Sequence, residues 1–151
     1  MENAIDAKIL HNKLRGLKWI SCLKPDNPKK EISQLLEAID IIKNDGRNKS
    51  IITDYQFISV ILSSYDFSPS QSWFINHVVH QKKESKYFKK YKQLFINQLK
   101  ENKIEIAYVI KPLWQSNEVF EEGLSKNCMK KMRITEILDG YLLQPCEELK
   151  N

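Results

Sequence analysis

The sequence predicts an α/β protein: a three-layer, Rossmann-like domain with a mostly parallel sheet of four or five strands and helices on both faces. Short apolar runs, typical of buried strands, alternate with amphipathic segments of about 10 to 15 residues that are typical of helices. Their order, β-α-β-α-α-β-α-β-β, suits βαβ crossovers. Since 151 residues of which 42% are hydrophobic can bury one core, we expect a single domain over residues 1–151.

The first third of the chain is predicted to contain a helix, a strand and a longer helix. Near-helical spacing of isoleucine and leucine predicts a helix over 4–14, which ends at a glycine. Alternation predicts a strand over 17–21. An apolar stripe at spacings of three and four predicts a helix over 28–43, with Asn27 as its N-cap and Gly46 available for a left-handed C-cap.

The remaining elements are predicted from shorter patterns. They are strands at 51–52, 104–110, 131–134 and 141–144, helices at 55–63, 87–102 and 117–126, and a turn of helix at 135–138. The strand at 104–110 is apolar almost throughout, which is typical of a parallel strand buried on both faces. We therefore expect this strand inside the sheet.

The candidate binding surface follows the strand at 51–52, because ligands of open α/β sheets bind near the carboxyl ends of strands. Its members are polar or aromatic residues of the following loop: Thr53, Asp54, Tyr55, Gln56, Asp66 and Trp73. The stretch 50–74 contains no glycine, so it does not form a dinucleotide phosphate loop. We expect no cofactor.

The sequence shows no complete set of catalytic groups. It has no G-x-S-x-G elbow, Walker loop or kinase signature. The pair His77 and His80 offers two imidazoles, too few for a metal site, and we expect no metal. The isolated domain is therefore not expected to catalyse a reaction, although a free-standing cytoplasmic α/β enzyme or nucleotide-binding protein remains an alternative.

The net charge of +5 comes from 21 lysines and only 3 arginines. Phosphate sites usually use arginine, whose planar fork binds bidentately, so we expect no tight binding to nucleic acid. A lysine run over 82–92 is interleaved with Tyr87, Phe88 and Tyr91. Such a pattern can bind single-stranded nucleic acid or an anionic membrane surface, but the helical period favours a solvated face with inward aromatics. A basic nucleic-acid-binding module is the remaining alternative.

Targeting signals are not evident in the sequence. The sequence contains no run of 18 or more apolar residues that could span a membrane, and residues 1–11 lack the apolar core of a signal peptide. The three cysteines, Cys22, Cys128 and Cys146, do not have metal-site spacing. These observations fit a cytoplasmic protein or a piece of a longer chain.

Three short motifs resemble one known family. They are GLKWI at 16–20, ITDYQF at 52–57 and YVIKPL at 108–113. Together they resemble the C-terminal soluble domain of bacterial polytopic membrane glycosyltransferases, of the mannosyltransferase and aminoarabinose-transferase superfamily. The resemblance implies an accessory domain that covers the active-site mouth, with a transmembrane domain of the same parent chain and a polyprenyl-phosphate sugar or acceptor as partners. It implies a periplasmic or extracytoplasmic location, and no residue matches the family's catalytic carboxylate.

The cysteines near the C-terminus offer one further expectation. If the strands at 131–134 and 141–144 fold back on each other, Cys128 and Cys146 meet at one end of the sheet and leave Cys22 free. A bridge between them would stabilise the fold by about 3 kcal/mol. The resemblance to an extracytoplasmic domain favours the oxidising compartment that such a bridge needs. The alternative is three reduced thiols in a cytoplasmic protein.

Overall fold

The computed structural model describes residues 4–19, 27–53, 55, 57–62, 83–111 and 118–150. These residues divide into two compact units. The first lies within Met1–Asp45 and Tyr55–Tyr65, and the second within Gly46–Asp54 and Asp66–Asn151. The first holds a two-stranded ribbon and two helices, and the second holds a four-stranded sheet and two helices.

The first unit begins with a short antiparallel ribbon instead of the predicted helix over 4–14. Strand β1 (Ile5–Asp6) pairs with β2 (Lys18–Trp19), and two 3-10 turns, Ala7–Ile9 and Asn12–Leu14, lie between them. Side chains cap the start of each turn: Asp6 Oδ1 accepts the N–H of Lys8, and His11, whose backbone is extended, accepts the N–H of Lys13 through Nδ1. Such local bonds compete with helix propagation, which is why the apolar spacing does not produce one helix.

Helix α1 (Pro28–Asn44) confirms the prediction over 28–43. The side chain of Asn27 accepts the N–H of Lys30 at 3.0 Å, and proline opens the first turn. One face of α1 is buried, and it consists of Glu31, Ile32, Leu35, Ala38, Ile39 and Ile42. The predicted left-handed cap at Gly46 is wrong: Asp45 caps α1 with extended backbone, and among the described glycines only Gly16 has a positive φ.

The second unit is built on a mixed sheet of four strands in the order β3-β4-β6-β5. The strands are β3 (Lys49–Thr53), β4 (Ile106–Ile110), β5 (Met129–Arg133) and β6 (Leu138–Leu143). Only β3 and β4 are parallel; β6 is antiparallel to both β4 and β5. The predicted interior position of the 104–110 strand is confirmed, because β4 has a neighbour on each side and all five of its residues are buried.

The prediction of a three-layer, mostly parallel, Rossmann-like sheet is wrong. A parallel pair needs a crossover of about a dozen residues or more, whereas β5 and β6 are joined by residues 134–137 alone. These residues form a tight turn, not the predicted turn of helix: Thr135 Oγ1 accepts the N–H groups of Ile137 and Leu138 at 3.3 and 3.1 Å. The described protein is thus a mixed α/β fold with two small sheets that are mostly antiparallel.

Two helices accompany the sheet of the second unit: α3 (Phe88–Glu101) and α4 (Glu118–Gly123). The first unit contains the remaining helix, α2 (Phe57–Leu62), within the span predicted at 55–63. From α3, Phe95, Ile96 and Leu99 pack in one buried cluster with sheet residues that include Val109 and Tyr141. This cluster also contains Cys128 and Cys146, so the core of the second unit reaches the C-terminal segment.

Candidate functional site

A cleft in the second unit brings charged side chains together on one face of the sheet. In the β5–β6 register, Lys131 lies opposite Tyr141 and Met129 lies opposite Leu143. Because alternate residues of a strand share a face, Lys131 and Met129 project to the same side. Glu121 of α4 and Lys126 of the following turn complete a cleft of about 260 Å³ together with Met129, Lys131 and Tyr141.

Glu121 is the centre of the polar contacts in this cleft. Its Oε1 lies 2.7 Å from Lys131 Nζ and accepts a hydrogen bond from the Tyr141 hydroxyl at 3.0 Å. Lys131 Nζ also lies 5.4 Å from the centroid of the Tyr141 ring, within cation–π range. The three side chains therefore hold one another in place across α4, β5 and β6.

The contacts fix the protonation state of all three groups. The hydrogen bond from Lys131 lowers the pKa of Glu121, and the same bond raises the pKa of Lys131. Burial raises the pKa of Tyr141 to about 12. At neutral pH the cluster is therefore a carboxylate, an ammonium and a neutral phenol. A general acid or base works best with a pKa near the operating pH, so this arrangement suits ligand binding better than proton transfer.

The charges and walls of the cleft define what it can bind. Two ammonium groups, from Lys126 and Lys131, face one carboxylate, from Glu121, so the cleft is net positive. Met129 and the Tyr141 ring contribute apolar wall. Such a cleft can accept a small anion that carries an apolar or sugar-like body.

A second ion pair lies on the same face of β6, at the carboxyl end of β4. Lys111 Nζ contacts Asp139 Oδ2 at 2.7 Å, and Asp139 is only 1% exposed. The backbone N–H of Lys111 also donates to the carbonyl of Ile137 at 2.7 Å. This pair joins the end of β4 to the start of β6, and its contacts are those of a structural ion pair.

Two of the predicted binding residues are described. Thr53 ends β3 and lies opposite Ile110 in the β3–β4 register. The Tyr55 hydroxyl donates to Glu31 Oε1 at 2.7 Å, and its ring packs within 5.8 Å of Trp19 and 5.7 Å of Phe57, centroid to centroid. Thr53 and Tyr55 belong to different units. Their ligand-binding role stays a prediction.

Several predictions lie outside the described residues. They concern Asp54, Gln56, Asp66 and Trp73 of the candidate surface, and the histidines His77 and His80. Within the described part of the chain, no group of three or more histidine, cysteine or acidic side chains could hold a metal ion. None of the described helices is both long and apolar enough to cross a membrane.

Sequence reasoning missed the cleft that the structure forms. The available signal was Lys131, which alternation places on the same strand face as Met129. A lysine on the core side of a strand usually needs a carboxylate partner. Its partner, Glu121, is ten residues away in a separate helix, and only the fold brings the two together.

The pair Cys128 and Cys146 forms a disulfide. The Sγ atoms are 2.00 Å apart and the Cα atoms 5.2 Å apart, within the range that a bridge requires. The two residues adjoin the β5–β6 hairpin, Cys128 just before β5 and Cys146 after β6.

Comparison of the chain with models of protein families, with curated proteins and with solved structures found no match.

Proposed function

We propose that this chain is a non-catalytic accessory domain of a membrane glycosyltransferase-like protein, located outside the cytoplasm. Its role is to bind the anionic, sugar-bearing part of a polyprenyl-phosphate sugar or of an acceptor near the active-site mouth. The observation that carries the proposal is the net-positive cleft around Tyr141. Its Glu121–Lys131 pair stays charged at neutral pH, which supports binding of an anion without acid–base chemistry.

The disulfide supports the location. Disulfides persist in secreted and periplasmic proteins and are rare in the reducing cytoplasm. Thiol counting on the denatured chain, without reductant, tests this point: we expect one reactive thiol, from Cys22, with Cys128 and Cys146 bonded. Three reactive thiols in protein isolated from its native compartment would contradict the extracytoplasmic location.

Binding to the cleft is tested by titrating the ¹⁵N-labelled chain with a sugar 1-phosphate. We expect saturable shifts of the amide signals of β5 and β6, smaller effects with inorganic phosphate, and none with the free sugar. Lys126→Ala should weaken binding by up to about fivefold, since an exposed ion pair contributes up to about 1 kcal/mol. It leaves the Glu121–Lys131 contact in place.

Lys130→Ala is the matched control. Lys130 is exposed and adjoins Lys131 on β5, so it projects to the opposite face and should not affect binding. Equal weakening by both variants, or no saturable shift in β5 and β6, would contradict ligand binding by the cleft. Sugar transfer or hydrolysis by the pure chain would contradict the non-catalytic role.

A further inference from the structure

The outer face of α3 combines exposed lysines with exposed apolar side chains. Tyr87 and Leu94 are 56% and 53% exposed, and they lie seven residues apart, two turns along one face. Lys90 lies three residues after Tyr87 and four before Leu94, so it shares their face. Lys86 and Lys89 are also exposed beside them.

The charge on this segment has one sign. From Ser85 to Lys100 the chain has five lysines and no acidic residue, and one exposed glutamate lies at each end of this stretch, Glu84 before it and Glu101 at the last residue of α3. Two of the five have partners in the second unit: Lys92 Nζ contacts Glu148 at 2.9 Å, and Lys100 Nζ donates to the carbonyl of Lys150. The other three, Lys86, Lys89 and Lys90, have no carboxylate within 4.0 Å among the described residues, and Lys86 lies over the Tyr87 ring at 4.9 Å.

The position of these lysines does not favour the helix itself. The first turn of α3 contains Lys89 and Lys90 and no acidic residue, and its N-cap, Tyr87, makes no side-chain capping bond. Cations near the positive N-terminal end of a helix dipole destabilise the helix. An external anionic partner would offset the repulsion between these lysines and the helix dipole. Contacts within the described chain do not supply such a partner for Lys89 and Lys90.

We propose that the outer face of α3 docks on an anionic lipid membrane, with Lys86, Lys89 and Lys90 at the phosphate level and Tyr87 and Leu94 in the interface. Lysines of this kind are attracted to anionic lipids, and an amphipathic ring suits the boundary between headgroups and acyl chains. Docking by α3 and ligand binding by the cleft are separate events, so either can fail without the other.

The test measures binding of the whole chain to vesicles of phosphatidylcholine, with and without an equal amount of phosphatidylglycerol. We expect binding only to the anionic vesicles, and weaker binding as salt shortens the screening length. The triple variant Lys86→Glu, Lys89→Glu, Lys90→Glu should lose on the order of 100-fold in partitioning, since each lysine contributes roughly fivefold. Glutamate in the first turn favours the helix dipole, so this variant should remain folded.

Two matched controls separate the face of α3 from net charge and general hydrophobicity. The variant Lys29→Glu, Lys43→Glu, Lys130→Glu changes the charge equally at exposed positions elsewhere and should retain most of the binding. Leu94→Ser should weaken binding, whereas Leu17→Ser, at a leucine that is 58% exposed, should not.

Three results of the vesicle assay would overturn membrane docking by α3. They are no binding to the anionic vesicles, equal binding to the neutral ones, and equal losses in the α3 variants and their controls. Tighter binding to a single-stranded RNA oligomer than to anionic vesicles at the same salt would also overturn it, because the occupant would then be a nucleic acid.

Discussion

The carboxylate of Glu148 joins three segments of the second unit. Its Oε1 lies 2.9 Å from Lys92 Nζ on α3 and accepts the Ser125 hydroxyl at 2.8 Å, while Oε2 accepts the Ser125 N–H at 3.0 Å. Glu148 belongs to the C-terminal 3-10 turn that follows Cys146. The disulfide and this carboxylate therefore hold the same short segment against α3 and the turn before β5.

Replacing Glu148 tests this arrangement. Burial raises the pKa of Glu148, but the hydrogen bonds from Lys92 and Ser125 together lower it by more. The pKa of Glu148 therefore lies below its ordinary value of 4.5. The contribution to stability is thus complete above about pH 4.5 and is lost as the pH falls below that value. At neutral pH, Glu148→Ala should lower the free energy of unfolding by about 1–2 kcal/mol.

Urea unfolding at neutral and acidic pH measures both effects. The difference between Glu148→Ala and the unmodified chain should shrink as the pH falls, because the protonated carboxyl no longer pairs with Lys92. Glu147→Ala is the control, since its side chain is 84% exposed and, within the described part of the chain, its ion pair is with Lys150. A loss that is independent of pH would show that the carboxylate charge is not what stabilises this segment.

At the scale of elements, the helices with a clear apolar stripe were predictable, and the short helices α2 and α4 also lie within their predicted spans, whereas the helix predicted over 4–14 was wrong. The helices predicted over 28–43 and 87–102 correspond to α1 and α3, because each buries one face with the 3.6-residue period. The segment 4–14 has similar apolar spacing but forms turns and a strand, since side-chain bonds to its own backbone prevail there. Spacing alone does not reveal that competition.

The end of α3 contains a strained residue that a substitution can relieve. Lys103 has a φ of +49°, and its N–H donates to the carbonyl of Lys100 while that of Ile104 donates to Leu99, both at 2.9 Å. This is a Schellman motif, whose left-handed position favours glycine. Lys103→Gly should therefore raise the free energy of unfolding by about 1 kcal/mol, because it removes the steric cost of the left-handed backbone.

Thermal and urea unfolding measure the gain from Lys103→Gly. The matched control is Glu101→Gly, at the last residue of α3, which has ordinary helical backbone and should lose up to about 1 kcal/mol. A loss of stability in both variants would indicate that Lys103 makes a contribution beyond its backbone conformation.

At the scale of the whole molecule, the alternation of strands and helices was recognised but the direction of the strands was not. The β3–β4 crossover is parallel as expected, yet the C-terminal hairpin inserts β6 between β4 and β5. The short connection at 134–137 already required an antiparallel pair. The position of β6 beside β4 depends on packing over many residues, which local patterns do not carry. The pairing of Glu121 with Lys131 is unpredictable from sequence for the same reason.

The charge of the whole molecule leads to a last prediction, that the chain does not bind nucleic acid tightly at physiological salt. Single-strand binding proteins stack bases on exposed aromatic rings beside basic groups. On α3, the ring of Tyr91 is half-buried and stacked on that of Phe95 with ring centroids 6.4 Å apart, so it is less available to a base than an exposed ring. Burial raises the pKa of Tyr91 to about 12. Tyr87 alone among the aromatic residues of α3 and its N-cap is more than half exposed.

Contacts to nucleic acid would therefore be mainly lysine to phosphate, and such contacts weaken steeply as salt rises. Anisotropy titrations with a labelled single-stranded oligonucleotide should show weak binding at low salt that is lost at about 150 mM, where the screening length is about 8 Å. Substituting Tyr87 by serine should change this weak binding little, whereas Lys86→Glu, Lys89→Glu, Lys90→Glu should remove it. Sub-micromolar affinity at physiological salt, or a large loss on removing the Tyr87 ring, would instead indicate base stacking and a nucleic-acid-binding module.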